Sequence, residues 1–480
     1  MTFLKYLLGG AGFLLLAGVI GYFVWFHNPH EHTLKLDPAA VYADRGAGQL
    51  ITNANIVDVE SGNLLEARHV LIRDGAIAGI FTGPVADSLQ DAYPVMNAAG
   101  RYMMPAMIDM HTHLNSGGLI PPDAAVRPFA LEQFARYGVG TIFTLGGHGF
   151  SQEITGELIR QQQNREIVAP AIFATGDVLT APGGYPIRLL PLIVGVSARD
   201  MDLEALGVQV VDEGTDLNAV FSTQRATGAL GIKVMVESGV AGGTPEPRLS
   251  NEMIRKIVER ASDHGLPVFA HVSTQRDFED AVNAGVDVIV HTVADQVLTD
   301  AEPYLARMRE RPIYLTPTLS LSYMAPFVAS GEILDDPFML QYSSERTNRS
   351  LKNWPVRQLM LRSMEVDVHL MQRNMLQNFR IFREAGIPIL MGTDAGNASI
   401  IPGYSAHREL EFMVVEGMPI ADVLRSATLE SARFLGLEDQ MGSIAEGKVA
   451  SFLLLDGNPL EDVRHSRSIF RVMLEGYWIE

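Results

Sequence analysis

Between residues 101 and 439, short apolar runs recur with stretches of helical periodicity between them. Candidate strands fall at 104–110, 139–145, 168–174, 230–236, 266–271, 286–291, 313–318 and 387–392. Most of these runs are apolar at consecutive positions, as strands buried on both faces require. Intervening stretches such as SNEMIRKIVERASDHG and QRDFEDAVNAG reach Gly265 and Gly285, residues suited to a helix end. Eight strands with this alternation predict an α/β chain folded as a (β/α)8 TIM-like barrel. An open doubly wound sheet would usually carry a glycine-rich turn after its first strand. Here that strand ends in HTH. Segment 321–380 is too long for an ordinary loop, and its periodicity predicts helices beside or over the barrel mouth.

The flanks read differently. Residues 48–99 form short alternating strands separated by the turn signals ESGN and RDGA, and residues after 440 repeat the pattern. They predict a small composite β-sandwich domain, 44–100 plus 440–480, beside a barrel at 101–439. Ahead of both, residues 6–26 are 21 consecutive uncharged residues. As a helix they can span the ~30 Å of a bilayer core. Lys5 precedes the run, Tyr22 and Trp25 sit near its far end, and WFHNPHEH after it is a poor cleavage site. The expectation is a signal anchor, a transmembrane helix at 1–27, and a linker at 28–43. The body would lie outside the cytoplasm, periplasmic or extracellular, with secretion after signal cleavage as the alternative. His30 and His32 imitate the HTH spacing but sit in a polar, proline-containing stretch, as solvated histidines beside the anchor would.

Lys plus Arg number 37 against 56 Asp plus Glu, a net charge of −19, which argues against a nucleic-acid surface. Cysteine is absent, so disulfides and thiolate metal sites are excluded.

Catalytic side chains of such a barrel project from the C-terminal strand ends. Six polar residues interrupt the apolar runs there: His111 and His113 in DMHTHL, Lys233 in IKVMVESG, His271 in AHVS, His291 in IVHT and Asp394 in GTDAG. One buried polar residue is readily satisfied by the core. Six at one level point to a shared ligand. Four imidazoles and a carboxylate suit Zn²⁺ or a similar ion, and they exceed what one catalytic ion needs, which predicts two divalent metal ions. Beside two dications a buried Lys233 favours its neutral amine, which can take up carbon dioxide to become an anionic carbamate able to bridge them. The alternative is an ammonium paired to Glu237 or Asp394.

With the C-terminal stretch ATLESARFLGLEDQMGSIAEGKVASFLLLDGNPLED, these motifs resemble the amidohydrolase superfamily over nearly the whole chain after residue 44. The lysine and layout look like the imidazolonepropionase-related branch that includes metal-dependent Xaa-Pro-type dipeptidases. The resemblance implies that His111, His113 and Asp394 bind one metal and His271 and His291 the other. Carboxylated Lys233 would bridge them, and a metal-bridging hydroxide would be the nucleophile. Two departures stand out. GKVAS places Ser451 where an acid is common, and PGGYP places Tyr185 where dipeptidase-like relatives often have histidine.

The activity expected is hydrolysis of a C–N bond in a dipeptide, cyclic amide or similar small molecule. Asp394 would move the proton from water to the leaving amine. His148, Tyr185, Arg188 and Arg248 are candidate substrate contacts on mouth loops. A lactonase or phosphotriesterase is the rival chemistry. A membrane-anchored, non-catalytic binding protein on the same fold is the rival of another class. The partners expected are a small-molecule substrate and the membrane, without nucleic acid; a homo-oligomer is compatible with this reading.

Overall fold

The computed structural model describes residues 34–43, 48–115, 117, 126–146, 151–191, 201–239, 243–355, 357 and 367–480. From the N-terminal flank come β1 (Gln49–Asp58), β2 (Asn63–Arg73), β3 (Ala76–Phe81), β4 (Val95–Asn97) and β5 (Tyr102–Pro105). The middle supplies β6 (Met107–Thr112), β7 (Val139–Thr144), β8 (Ala171–Ala174), β9 (Val178–Thr180), β10 (Val208–Val210), β11 (Ile232–Met235), β12 (Val268–His271), β13 (Val288–Val290) and β14 (Tyr314–Thr316). The last are β15 (Phe452–Leu455), β16 (Ile469–Leu474) and β17 (Tyr477–Trp478).

Both flanks join one eight-stranded sheet in the order β17-β16-β15-β5-β1-β2-β3, with β4 beside β1. Where two facing sheets were expected, strand pairing is continuous. Its central junction is antiparallel, with Phe452 opposite Pro105 and Leu455 opposite Tyr102. Ile51, Val70, Met103, Phe452, Leu454 and Met473 pack together on this sheet, because alternate side chains of each strand share a face. The predicted strand 104–110 is divided: its start belongs to β5, and the chain passes at Ala106 into β6.

The middle strands run parallel in two sheets, β6-β7-β8 and β10-β9-β11-β12-β13-β14. Backbone bonds connect them on both sides. Leu230 N donates to the Ala174 carbonyl (2.8 Å) just ahead of β11. On the other side, Leu315 N donates to Pro388 O and Leu390 N to Leu315 O, both at 2.9 Å, and Met110 N donates to Met391 O at 2.9 Å. Segment 387–392, predicted as a strand, therefore lies between β14 and β6 but forms only isolated bridges. The predicted helices cap as their sequences require. Ser250 and Thr274 accept from Met253 N and Asp277 N, and Gly285 ends its helix in the left-handed region (φ 81°). Segment 321–380 contributes Leu319–Ser330, Pro337–Tyr342, Glu345–Lys352 and Val368–Glu384 as helices.

The membrane-anchored localisation is corrected: among the described residues no helix is long and apolar enough to cross a membrane. The run 6–26, His30 and His32 lie outside the described residues.

His407, on helix Tyr404–Val415, ties the middle of the chain to the C-terminal flank. Its Nε2 lies 2.8 Å from the Tyr137 carbonyl and its Nδ1 3.0 Å from Ser466 Oγ. Burial pushes its imidazole down from 6.5 to about 4. The unfolded chain therefore binds the extra proton between those values, so the stability contribution is full above about pH 6.5 and is lost as pH falls toward 4. Urea denaturation at pH 7 and 4.5 should show wild type losing roughly 2–3 kcal/mol more than His407→Asn. Equal losses in the two proteins would refute this.

Candidate active site

Asp109 and His111 share one face of β6, and His113 follows just past its end. Segment 391–395 is hydrogen-bonded alongside, with Asp394 N donating to His111 O (2.7 Å) and His113 N to Ala395 O (2.6 Å). These bonds set Asp394 Oδ1 3.1 Å from His111 Nε2 and 2.9 Å from His113 Nε2. His113 Nδ1 lies 3.0 Å from the Gly146 carbonyl, which only accepts, so this nitrogen carries a proton.

His271 ends β12 and His291 follows β13, with His271 Nδ1 3.1 Å from His291 Nε2. Thr318 Oγ1 donates to Pro317 O (2.8 Å) and so accepts from His291 Nδ1 (2.7 Å), which leaves His291 Nε2 a lone pair. Donor atoms of His111, His291 and Asp394 lie within 4.8 Å of one another. Asp394 and His291 hold left-handed backbone, φ 65° and 71°, a cost that clusters at functional sites.

Lys233 extends from β11 into this cluster. It is 1% exposed, and its Nζ has no hydrogen-bond partner among the described residues. Burial, opposed by Asp394, pushes its amine down to about 7. Burial likewise holds His111 and His291 well below the ordinary imidazole range. For Asp394 burial acts upward, but His111, His113 and His291 outweigh it and hold the carboxyl well below the usual carboxylate range. Imidazoles of which His111 and His291 are held toward the neutral form, a carboxylate held toward the charged form, and an amine with no hydrogen-bond partner among the described residues form a donor set that fits divalent transition ions.

Two further residues join the site. Asp109 accepts from Thr393 Oγ1 (2.6 Å), Thr393 N (3.0 Å) and His111 N (3.2 Å), locking β6 to the segment that carries Asp394. Burial pushes its carboxyl up to about 7. Glu237 faces His271 Nε2 at 3.1 Å rather than Lys233. Asp109 had a signal in the sequence, as a polar residue two and four positions before the histidines. Glu237 had only its place four residues after Lys233.

The proposed substrate contacts separate. Tyr185 stacks on His271, with ring centroids 4.9 Å apart and planes at 22°. Burial, with Glu237, Asp394 and Glu246 nearby, raises its phenol above the ordinary range, so it stays a donor. Arg188 is half-exposed and donates to Glu246 (2.9 Å). Arg248 is engaged by Asp277 (2.8 Å), Asn251 (2.6 Å) and Asp280. Asp277 also accepts from Ser238 and Thr274, so Arg248 clamps two strand-end loops together. His148 lies outside the described residues. Ser451 sits in the composite sheet, where its Oγ accepts from Glu475 N at 2.9 Å.

The profile of the amidohydrolase family matches residues 102–479, well over half of the chain. The chain belongs to the amidohydrolase family. It is 25% identical over 459 residues to the ochratoxinase of Aspergillus niger, covering 91% of this chain and 87% of that protein. It is 23% identical over 423 residues to an imidazolonepropionase of a Bradyrhizobium species, covering 85% and 92%. Among solved structures, a Xaa-Pro dipeptidase with bound methionine in its active site superposes with a TM-score of 0.70 at 24% identity, over 90% of this chain and 99% of that one. This amidohydrolase is accordingly a hydrolase of amide-type bonds.

Proposed function

We propose that this amidohydrolase is a binuclear, metal-dependent enzyme that hydrolyses C–N bonds of small amides, dipeptide-like or cyclic. The observation that carries this reading is Lys233, a buried amine with no partner among the described residues, beside an ionised Asp394 and a ring of histidines. The strands holding these residues are read as staves of one (β/α)8 barrel: β6, β7, β8, β11, β12, β13, β14 and segment 387–392. The parallel pairings and the backbone bonds connecting the two sheets support that reading.

In this reading His111, His113 and Asp394 would hold one ion and His271 and His291 the other, with carboxylated Lys233 supplying anionic oxygens between the two sets. Such ions supply Lewis-acid polarisation of the scissile carbonyl and lower the pKa of water at neutral pH. The remaining steps belong to side chains. Asp394, ionised and at the centre of the cluster, accepts the proton of the attacking water. It returns that proton to the leaving nitrogen, without which an amine anion would have to depart. Tyr185, kept protonated, donates a hydrogen bond to the substrate carbonyl. His271 beneath its ring holds the phenol in place.

Elemental analysis of protein purified without chelator should find about two ions per chain. Saturating metal that never exceeds one would refute the binuclear assignment. The same preparation, assayed on Xaa-Pro dipeptides, N-acyl amino acids, cyclic amides, lactones and phosphotriesters, should turn over a C–N substrate best. Preference for a lactone or phosphotriester would overturn the substrate class.

A further inference from the structure

Glu237 lies two residues past the end of β11, the strand that carries Lys233, and is buried, 1% exposed. Among the described residues no lysine or arginine pairs with its carboxylate. Oε1 accepts from Ser273 Oγ (2.8 Å) and from Gly239 N (2.8 Å), and Oε2 faces His271 Nε2 at 3.1 Å. A carboxylate oxygen accepts, so His271 Nε2 supplies the hydrogen, and Nδ1 is left as the nitrogen turned toward the cluster. Nδ1 faces His291 Nε2 at 3.1 Å, while His291 Nδ1 is engaged by Thr318 Oγ1. The two nitrogens that face each other are therefore the ones that Glu237 and Thr318 do not occupy.

We infer that Glu237 is the positioning residue that fixes the tautomer of His271, so that Nδ1, not Nε2, is the nitrogen offered to a metal ion. Glu237 does not touch the reacting atoms and acts through the imidazole. Its own geometry is set twice over. Gly239 N–H and Ser273 O–H orient one oxygen, and the loop bearing them is pinned through Ser238 to Asp277 (3.1 Å) and so to Arg248. Arg248, expected at the substrate, sits three links away in this support. Carboxylate partners of this kind orient ligating histidines and raise their basicity, and losing one typically costs about 10- to 100-fold in metal affinity. The inference rests on the metal-binding reading for its consequence, but the tautomer itself is a property of the metal-free protein.

Glu237→Gln is the test. A glutamine must turn its carbonyl oxygen to Gly239 N–H, which cannot accept. Its NH₂ then points at His271 Nε2, and the ring proton moves to Nδ1. In the metal-free full-length chain at pH 8, labelled with ¹⁵N-histidine, long-range ¹H–¹⁵N correlations should place the His271 proton on Nε2 in wild type and on Nδ1 in Glu237→Gln. The His271 signals are assigned by their loss in His271→Gln. Titration of the same proteins with Co²⁺ against a competing chelator should show one of the two ions losing about 10- to 100-fold in affinity in Glu237→Gln, with the other within about twofold. Ser273→Ala removes one donor but keeps the carboxylate. It should retain the Nε2–H form and lose only a few-fold, which separates tautomer control from general disturbance. Wild-type His271 protonated on Nδ1, or on both nitrogens, overturns the inference, as does an unchanged second-ion affinity in a Glu237→Gln protein whose tautomer has switched. If wild type binds a single ion but shows the Nε2–H tautomer that Glu237→Gln reverses, the binuclear reading fails and the positioning role stands.

Discussion

Lys233→Ala is expected to lose at least about 100-fold in activity together with one or both ions, and acetate is expected to restore part of each. Lys233 lies between Ile232 and Val234 on a strand whose every residue is buried, and nothing among the described residues pairs with its amine. If its working form is a carbamate, its contribution is two anionic oxygens at fixed positions, and a small carboxylic acid in the vacated space replaces them. If it works as an ammonium, a carboxylic acid does nothing and methylamine rescues. Parallel titrations with acetate and methylamine, reading metal content and turnover, distinguish the two by sign of charge. Rescue by the amine alone would falsify the bridging role.

Asp394→Asn is expected to lower kcat by about 10²- to 10⁴-fold, the usual worth of a positioned proton carrier. The substitution is unusually clean. Residue 394 holds φ at 65°, a region that asparagine tolerates better than most side chains, so the backbone has no reason to move. The Asp394 N to His111 O bond (2.7 Å) is made by the main chain and survives. What disappears is the negative charge 2.9–3.1 Å from two imidazoles and the capacity to accept a proton; because the same carboxylate is assigned as a metal ligand, kcat is read on protein whose metal content has been matched to wild type. Thermal unfolding should change little while kcat falls. A kcat within tenfold of wild type would remove Asp394 from proton transfer.

The strand ends were legible in the sequence because polar residues rarely interrupt fully buried strands. Each interruption marks where a run stops being core and starts being site. The structure gathers His111, His113, Lys233, His271, His291 and Asp394 into one cluster for that local reason. Asp109 was not singled out, and Glu237 was weighed only as a partner for Lys233, because their meaning depends on distant partners. Asp109 is understood only once Thr393, 284 positions later, donates to it. Glu237 is understood only once β12 brings His271 alongside. Arg248 misled for the same reason, since an arginine on a loop near the mouth resembles a substrate anchor until Asp277 and Asp280 of helix Gln275–Ala284 claim it. Segment 387–392 has the apolarity of a strand. It forms only isolated bridges because its bonds are divided between β14 and β6, and it gives way to left-handed backbone at Asp394.

The pairing of β5 with β15 has a consequence during synthesis. Pro105 and Phe452 are neighbours in the finished sheet but leave the ribosome about 350 residues apart. At about 5–20 residues per second, β5 waits roughly 20–70 s for its partner strand. Throughout that interval one edge of β5 is an open template beside side chains, Met103 and Met104, that end fully buried. The nascent chain is therefore most vulnerable to wrong pairing after its first strands have formed, and the middle of the protein must fold while carrying that unfinished edge.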